Sequence, residues 1–88
     1  MTSETPEHRL KRLKMRSMRR GIKEMDLILG PFADKGLAGL DPAALDLYER
    51  MLAENDQDLY QWFSGQKATP DEYVALIEHV STVVGFAR

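Results

Sequence analysis

Leu40-Asp41-Pro42-Ala43-Ala44-Leu45-Asp46-Leu47-Tyr48-Glu49-Arg50-Met51-Leu52 carries a helix together with its start signals. Asp41 stands at the N-cap, where a short side-chain oxygen accepts one of the N–H groups that a helix start leaves without a partner. Pro42 follows at the first helical position, where its fixed φ suits the helix and its missing N–H is no loss. Leu40 is placed to staple against Leu45. Leu45, Tyr48, Met51 and Leu52 then recur at spacings of three and four and make one apolar stripe. A helix apolar on one stripe only must bury it against other elements, and the flanking sequence repeats the same format.

Downstream, Glu54-Asn55-Asp56 interrupts the pattern, offering Asn55 or Asp56 as the cap of a short fourth helix. Leu59, Trp62 and Phe63 supply its apolar face and Gly65 its stop. Thr69-Pro70-Asp71-Glu72 has the form of a capping box with proline at the first helical position. The helix predicted to follow is lined by Tyr73, Leu76, Ile77, Val80, Val83 and Val84 and ends at Gly85. Upstream, Met25, Ile28, Leu29 and Phe32 predict a helix over residues 22–33, with Pro31 bending its last turn. Before it, residues 7–20 place Leu10, Leu13 and Ser17 on one face and Met15, Met18 and Ile22 on a neighbouring one, with Gly21 as the stop. Five short helices, short connections and no period-two alternation predict an all-α class, a compact five-helix bundle in a single domain. The expected division is a disordered N-terminus over residues 1–6, a helical domain over 7–85 and a C-terminal tail over 86–88.

Charge is divided unevenly along the 88 residues. Residues 1–24 hold eight Lys/Arg against three Glu, net +5, and residues 25–88 hold four against eleven acids, net −7. A basic arm and an acidic body can attract each other or face different partners. The chain has no cysteine, which excludes disulfides and thiolate metal sites. No apolar run approaches the ~20 residues of a membrane span, so no membrane insertion is expected. The start of the chain has acidic residues and no apolar run of the kind a secretory signal needs, and it lacks the character of a transit peptide, so a cytoplasmic location is expected.

The motifs of chemistry are missing. His8 and His79, the only histidines, are far apart and have no ligand at i, i+4 spacing. Ser17, Ser64 and Ser81 lack a nucleophile elbow, and the six glycines form no phosphate loop. Helix capping accounts for the neighbouring acids Asp71 and Glu72, and also for Asp56 and Asp58. Trp62, Tyr60 and Phe63 have the spacing a short helix needs to reach its neighbours, so they are expected at the core or its edge. No aromatic interleaves with the basic residues of the first helix, so nucleic-acid binding is not expected. An independent enzyme is not expected either. Arg20-Gly21-Ile22-Lys23-Glu24 is different: helix termination accounts for Gly21 but leaves Arg20 and Glu24 free to pair locally or to meet a partner.

Two stretches together resemble one family. Arg20-Gly21-Ile22-Lys23-Glu24-Met25-Asp26-Leu27 with Pro31-Phe32 is similar to the RGxxE(L/M)D…PF segment of the succinate dehydrogenase flavinylation factors, small helical assembly proteins of bacteria and mitochondria. Glu54-Asn55-Asp56-Gln57-Asp58-Leu59-Tyr60-Gln61-Trp62 resembles their second signature, and the likeness covers about residues 9–84. Phe63 departs from a commoner aliphatic residue. The resemblance implies a five-helix bundle that binds the flavoprotein subunit of succinate dehydrogenase, and in some bacteria fumarate reductase. It implies that the chain promotes covalent attachment of FAD, through the flavin 8α-methyl carbon, to a histidine of that client. It implies client-binding by Arg20, Gly21 and Glu24, with Arg19 and Asp26 beside them, and structural roles for Trp62, Leu59, Tyr60, Pro31 and Phe32. On this reading the chain is a monomer, FAD belongs to the client and no cofactor is stably bound. The competing class is a small regulatory module using the basic helix, for example a nucleic-acid-associated one.

Overall fold

The computed structural model describes residues 4–86, which form five α-helices and no strand. They are α1 (Pro6–Met18), α2 (Lys23–Lys35), α3 (Pro42–Leu52), α4 (Asp56–Ser64) and α5 (Val74–Val84), with 3₁₀ turns at Leu37–Gly39 and Asp71–Tyr73. The largest share of the core comes from α2, where Met25, Ile28, Leu29, Phe32 and Ala33 are all buried. That helix packs against α1, α4 and α5, while α3 closes the bundle against α1 and α5. Leu13, Tyr48, Met51, Leu59, Phe63, Ile77 and Val80 complete the core around it.

Several start and stop signals act as their chemistry dictates. The Ala44 N–H donates to Asp41 Oδ1 at 2.8 Å, and the Gln57 N–H donates to Asn55 Oδ1 at 2.8 Å. Gly65 and Gly85 end α4 and α5 in the left-handed region, at φ 81° and 72°, which only glycine adopts without a Cβ penalty. Gly85 turns the chain back on itself: the Phe86 N–H donates to Ser81 O at 2.9 Å and the Phe86 ring meets Phe63 edge-on. Phe86 is therefore packed rather than part of a tail, and residues 87 and 88 lie outside the described residues.

At the other end, Thr5 caps α1 by accepting the His8 N–H, Pro6 is its first residue, and Glu4 pairs with Arg12 at 2.8 Å. The helix thus begins inside the stretch expected to be disordered, of which residues 1–3 lie outside the described residues.

Three boundaries differ from expectation for physical reasons. Pro31 lies inside α2, which runs on to Lys35. The carbonyl that loses its partner to proline belongs to Leu27, on the solvent side of the helix, while burial of Phe32 and Ala33 holds the next turn. Residues 69–72 do not form a capping box. Pro70 caps a 3₁₀ turn with no side-chain bond, and α5 starts only at Val74. Tyr73 tightens that turn by coming inward to stack on Trp62, centroids 5.8 Å apart, and to donate its hydroxyl to Glu54 Oε2 at 2.9 Å. Gly21 is not the stop of α1, which ends at Met18 with Arg19 as its cap, and Gly21 does not adopt the left-handed conformation.

The divided charge is partly resolved within the bundle. Arg9 bonds Asp46 and Glu49 of α3 at 2.6 and 3.0 Å, Arg12 bonds Glu49 at 3.0 Å, and Lys14 bonds Asp34 of α2 at 2.7 Å. The basic arm thus attracts the acidic body. Beneath these pairs Ser17, polar but fully buried on the apolar stripe of α1, donates to Leu13 O at 2.8 Å. Its single proton is then committed, so Tyr48 is the donor in the 2.7 Å bond between the two hydroxyls.

Candidate functional site

Residues 19–22 connect α1 to α2 and are fastened to the rest of the bundle through Arg20. Its guanidinium is turned inward. Nε and Nη2 lie 2.8 and 2.7 Å from Asp56 Oδ1, Nη1 donates to Arg16 O at 3.1 Å, and Nη2 donates to Leu52 O at 2.9 Å. Arg16 and Leu52 are in the last turns of α1 and α3, where carbonyls lack helical partners and the dipoles favour a cation. Asp56 opens α4, where the dipole favours an anion. One ion pair therefore satisfies three helix ends. The side chains of Arg20 and Asp56 are only 9% and 15% exposed.

The backbone of the same junction is held as well. Asp26 Oδ1 accepts the Arg20 N–H at 2.6 Å, and Asp56 Oδ2 accepts the Gly21 N–H. A Cβ on Gly21 would lie 2.9 Å from that Oδ2, closer than real Cβ contacts come. Glycine is needed here for the approach of a carboxylate to the backbone, not for a turn.

Of the residues implied as client-binding, the structure thus joins Arg20, Asp26 and the Gly21 N–H in one internal network. It leaves Arg19, Glu24 and the solvent side of Gly21 exposed on the surface of that junction. Glu24 lies in the first turn of α2. Lys23 and Leu27 are exposed on the same helix.

The second signature supports the first from below. Asn55 caps α4, Asp56 grips the junction, Leu59 is fully buried, and Glu54 accepts from Tyr73. Burial, and then the bond to Glu54, pushes the Tyr73 hydroxyl up to about 12. Trp62 and Tyr60 are partly buried at the core edge, as their spacing suggests, and Phe32 is fully buried, with the Tyr48 ring tilted against it at 5.4 Å and the His79 ring edge-on at 6.0 Å between centroids. Sequence reasoning missed Asp56, taken there only as a helix cap. Its partners lie 35 and 36 positions away, and the one available signal was that it falls in the second of two signatures that occur together.

Among the described residues no group of three His, Asp or Glu is placed to hold a metal ion, and no helix is long and apolar enough to cross a membrane. Five helices braced at one exposed interhelical junction define a small all-α protein. The chain belongs to the family described as "Flavinator of succinate dehydrogenase", whose profile matches residues 11–84.

Among curated proteins it is similar to succinate dehydrogenase assembly factor 2, mitochondrial, of Meyerozyma guilliermondii, 46% identical over 61 residues, 69% of this chain and 45% of that one. The factor of the same name from Drosophila grimshawi is 36% identical over 87 residues, 91% of this chain and 59% of that one. That from Scheffersomyces stipitis is 48% identical over 59 residues, 67% of this chain and 40% of that one. The chain thus spans about half the length of these relatives. Their names place them in mitochondria, which overturns the cytoplasmic location expected above. That expectation rested on the composition of the first residues, which carries no information about compartment in a chain matching only part of its relatives.

Proposed function

We propose that the chain binds the flavoprotein subunit of succinate dehydrogenase, or of fumarate reductase, and promotes covalent attachment of FAD to it without supplying a catalytic group. The observation that carries this reading is the braced junction. In a member of a family described as a flavinator of succinate dehydrogenase, the ion pair of Arg20 and Asp56 and the bond from Asp56 to the Gly21 N–H fasten the junction whose surface carries Gly21 and Glu24. A preorganised patch binds without first losing loop entropy. Such a helper acts by restraining a mobile client so that its histidine and the flavin methyl stay in near-attack geometry, while the client performs the chemistry. Gly21, Glu24 and Arg19 are the contact residues in this proposal; Arg20 and Asp26 position them. FAD remains the client's, and the chain acts as a monomer.

Binding of nucleic acid by α1 is less well supported, because Arg9, Arg12 and Lys14 face carboxylates of the bundle. The deciding experiment is in-gel fluorescence of the denatured flavoprotein subunit after incubation with FAD, with and without the chain, since only covalent flavin survives denaturation. The chain should raise that signal and its Gly21→Arg variant should not. Equal fluorescence with and without the chain overturns the proposal.

A further inference from the structure

α1 and α2 form an antiparallel pair, with Lys14 beside Asp34 and Arg20 beside Asp26. With residue 14 beside residue 34, Met18 lies across from the middle of α2, and Leu27 lies about two turns, roughly 10 Å, before Asp34. Met15, Met18 and Leu27 are 68%, 50% and 65% exposed, and they are three of the four large hydrophobic side chains that the described residues leave to solvent. Clustered exposure of this kind marks an interaction surface.

The cations beside them point to the partner. Lys11 and Met15 stand at i, i+4 spacing on α1, with Arg19 at its C-cap, and Lys23 and Leu27 stand at the same spacing on α2. All are exposed. Arg9, Arg12, Lys14 and Arg20 are paired with carboxylates of the bundle, whereas Lys11, Arg19 and Lys23 take part in no ion pair among the described residues. The fold therefore neutralises the inward half of its basic arm and leaves the outward half uncompensated beside an apolar strip.

We propose that this outer face of α1 and α2 docks an acidic segment of the client that also carries apolar side chains. The apolar groups seat on Met15, Met18 and Leu27 while the carboxylates meet Lys11, Arg19 and Lys23. This rests on the reading of the chain as a binder of the flavoprotein subunit, and adds to the junction a second, complementary contact. Methionine suits such a seat because its flexible thioether adapts to the incoming surface. An anionic lipid surface would meet the same cations, and the test separates the two.

The test is titration of purified flavoprotein subunit against the wild-type chain, the doublet Met18→Asp with Leu27→Asp, the doublet Lys11→Glu with Lys23→Glu, and the control Val74→Asp on α5. Circular dichroism and melting verify that each variant is folded. Both doublets should weaken binding by about tenfold or more and the control by less than about twofold. A photo-crosslinking residue at Met15 should capture a client peptide of net negative charge. Doublets that bind within about twofold of wild type, or a captured peptide that is neutral or basic, overturn the proposal. Sedimentation with phosphatidylglycerol vesicles that the Lys11→Glu doublet abolishes, with client binding intact, assigns the face to lipid and overturns it equally. A wild-type chain that does not bind the subunit at all overturns the parent reading as well.

Discussion

Asp56 uses both carboxylate oxygens on one junction: Oδ1 takes the Arg20 guanidinium, 2.8 Å from Nε, and Oδ2 takes the N–H of Gly21, the next residue along. A side chain and its neighbour's backbone are thus tied to the same anion, across 36 and 35 positions of sequence. The pair is nearly buried, so its loss is unlike the loss of a surface ion pair.

Removing both partners should therefore cost less than the sum of removing each. Asp56→Ala leaves a guanidinium without its counter-ion and an N–H without its acceptor, and should cost about 3 kcal/mol in urea unfolding. Arg20→Lys keeps the charge but replaces a planar fork with a point donor that cannot reach Asp56, Arg16 O and Leu52 O together. It should cost about 2 kcal/mol. The double variant Arg20→Ala with Asp56→Ala should be more stable than the sum of its single losses implies. Strict additivity would show that the two residues do not interact.

Gly21 separates stability from docking. Its alanine variant adds a methyl 2.9 Å from Asp56 Oδ2 with no backbone strain, because the residue is not left-handed. The carboxylate must give way, for about 1 kcal/mol. Helix content should be unchanged and client binding weakened. A variant that melts and binds like wild type would remove the close approach as the reason for glycine here.

Most of the architecture was legible because the helix ends are chemically explicit: Asp41 with Pro42, Asn55, Gly65 and Gly85 each do locally what their side chains or φ require. What was not legible depends on distant partners. Thr69 lost its capping box because Tyr73 is drawn to Trp62 and Glu54, and Gly21 read as a stop because Asp56 could not be seen beside it. The sequence leaves Arg20 free to pair locally or to meet a partner, and in the fold its guanidinium pairs locally with the same carboxylate.

Acid should loosen α1 from α3. Hydrogen bonds from Arg12 hold the carboxyls of Glu4 and Glu49 below the ordinary 4.5, with Arg9 adding to the effect on Glu49. A carboxylate with a lowered folded-state value contributes stability above the unfolded value, and that contribution is lost as pH falls through the folded one. The melting temperature should therefore fall as pH drops below 4.5. Glu49→Gln should melt lower near neutral pH and show a shallower decline in acid. An acid limb as steep as that of wild type would exclude Glu49 as a contributor.

Alkali should act through two tyrosines with the opposite sign. Burial pushes the hydroxyls of Tyr48 and Tyr73 from the ordinary 10 up to about 12, assisted at Tyr73 by its bond to Glu54. A raised value means that the folded chain holds these protons more tightly than the unfolded one. Their contribution is complete below pH 10 and is lost as pH rises towards 12. Tyr48→Phe removes the donor to Ser17, whose own proton stays on Leu13 O, and should cost about 1 kcal/mol near neutral pH. In exchange it should flatten the alkaline decline of the melting temperature, and Tyr73→Phe should do the same. If the single variants leave the alkaline limb as steep as in wild type, these buried hydroxyls are not what alkali titrates.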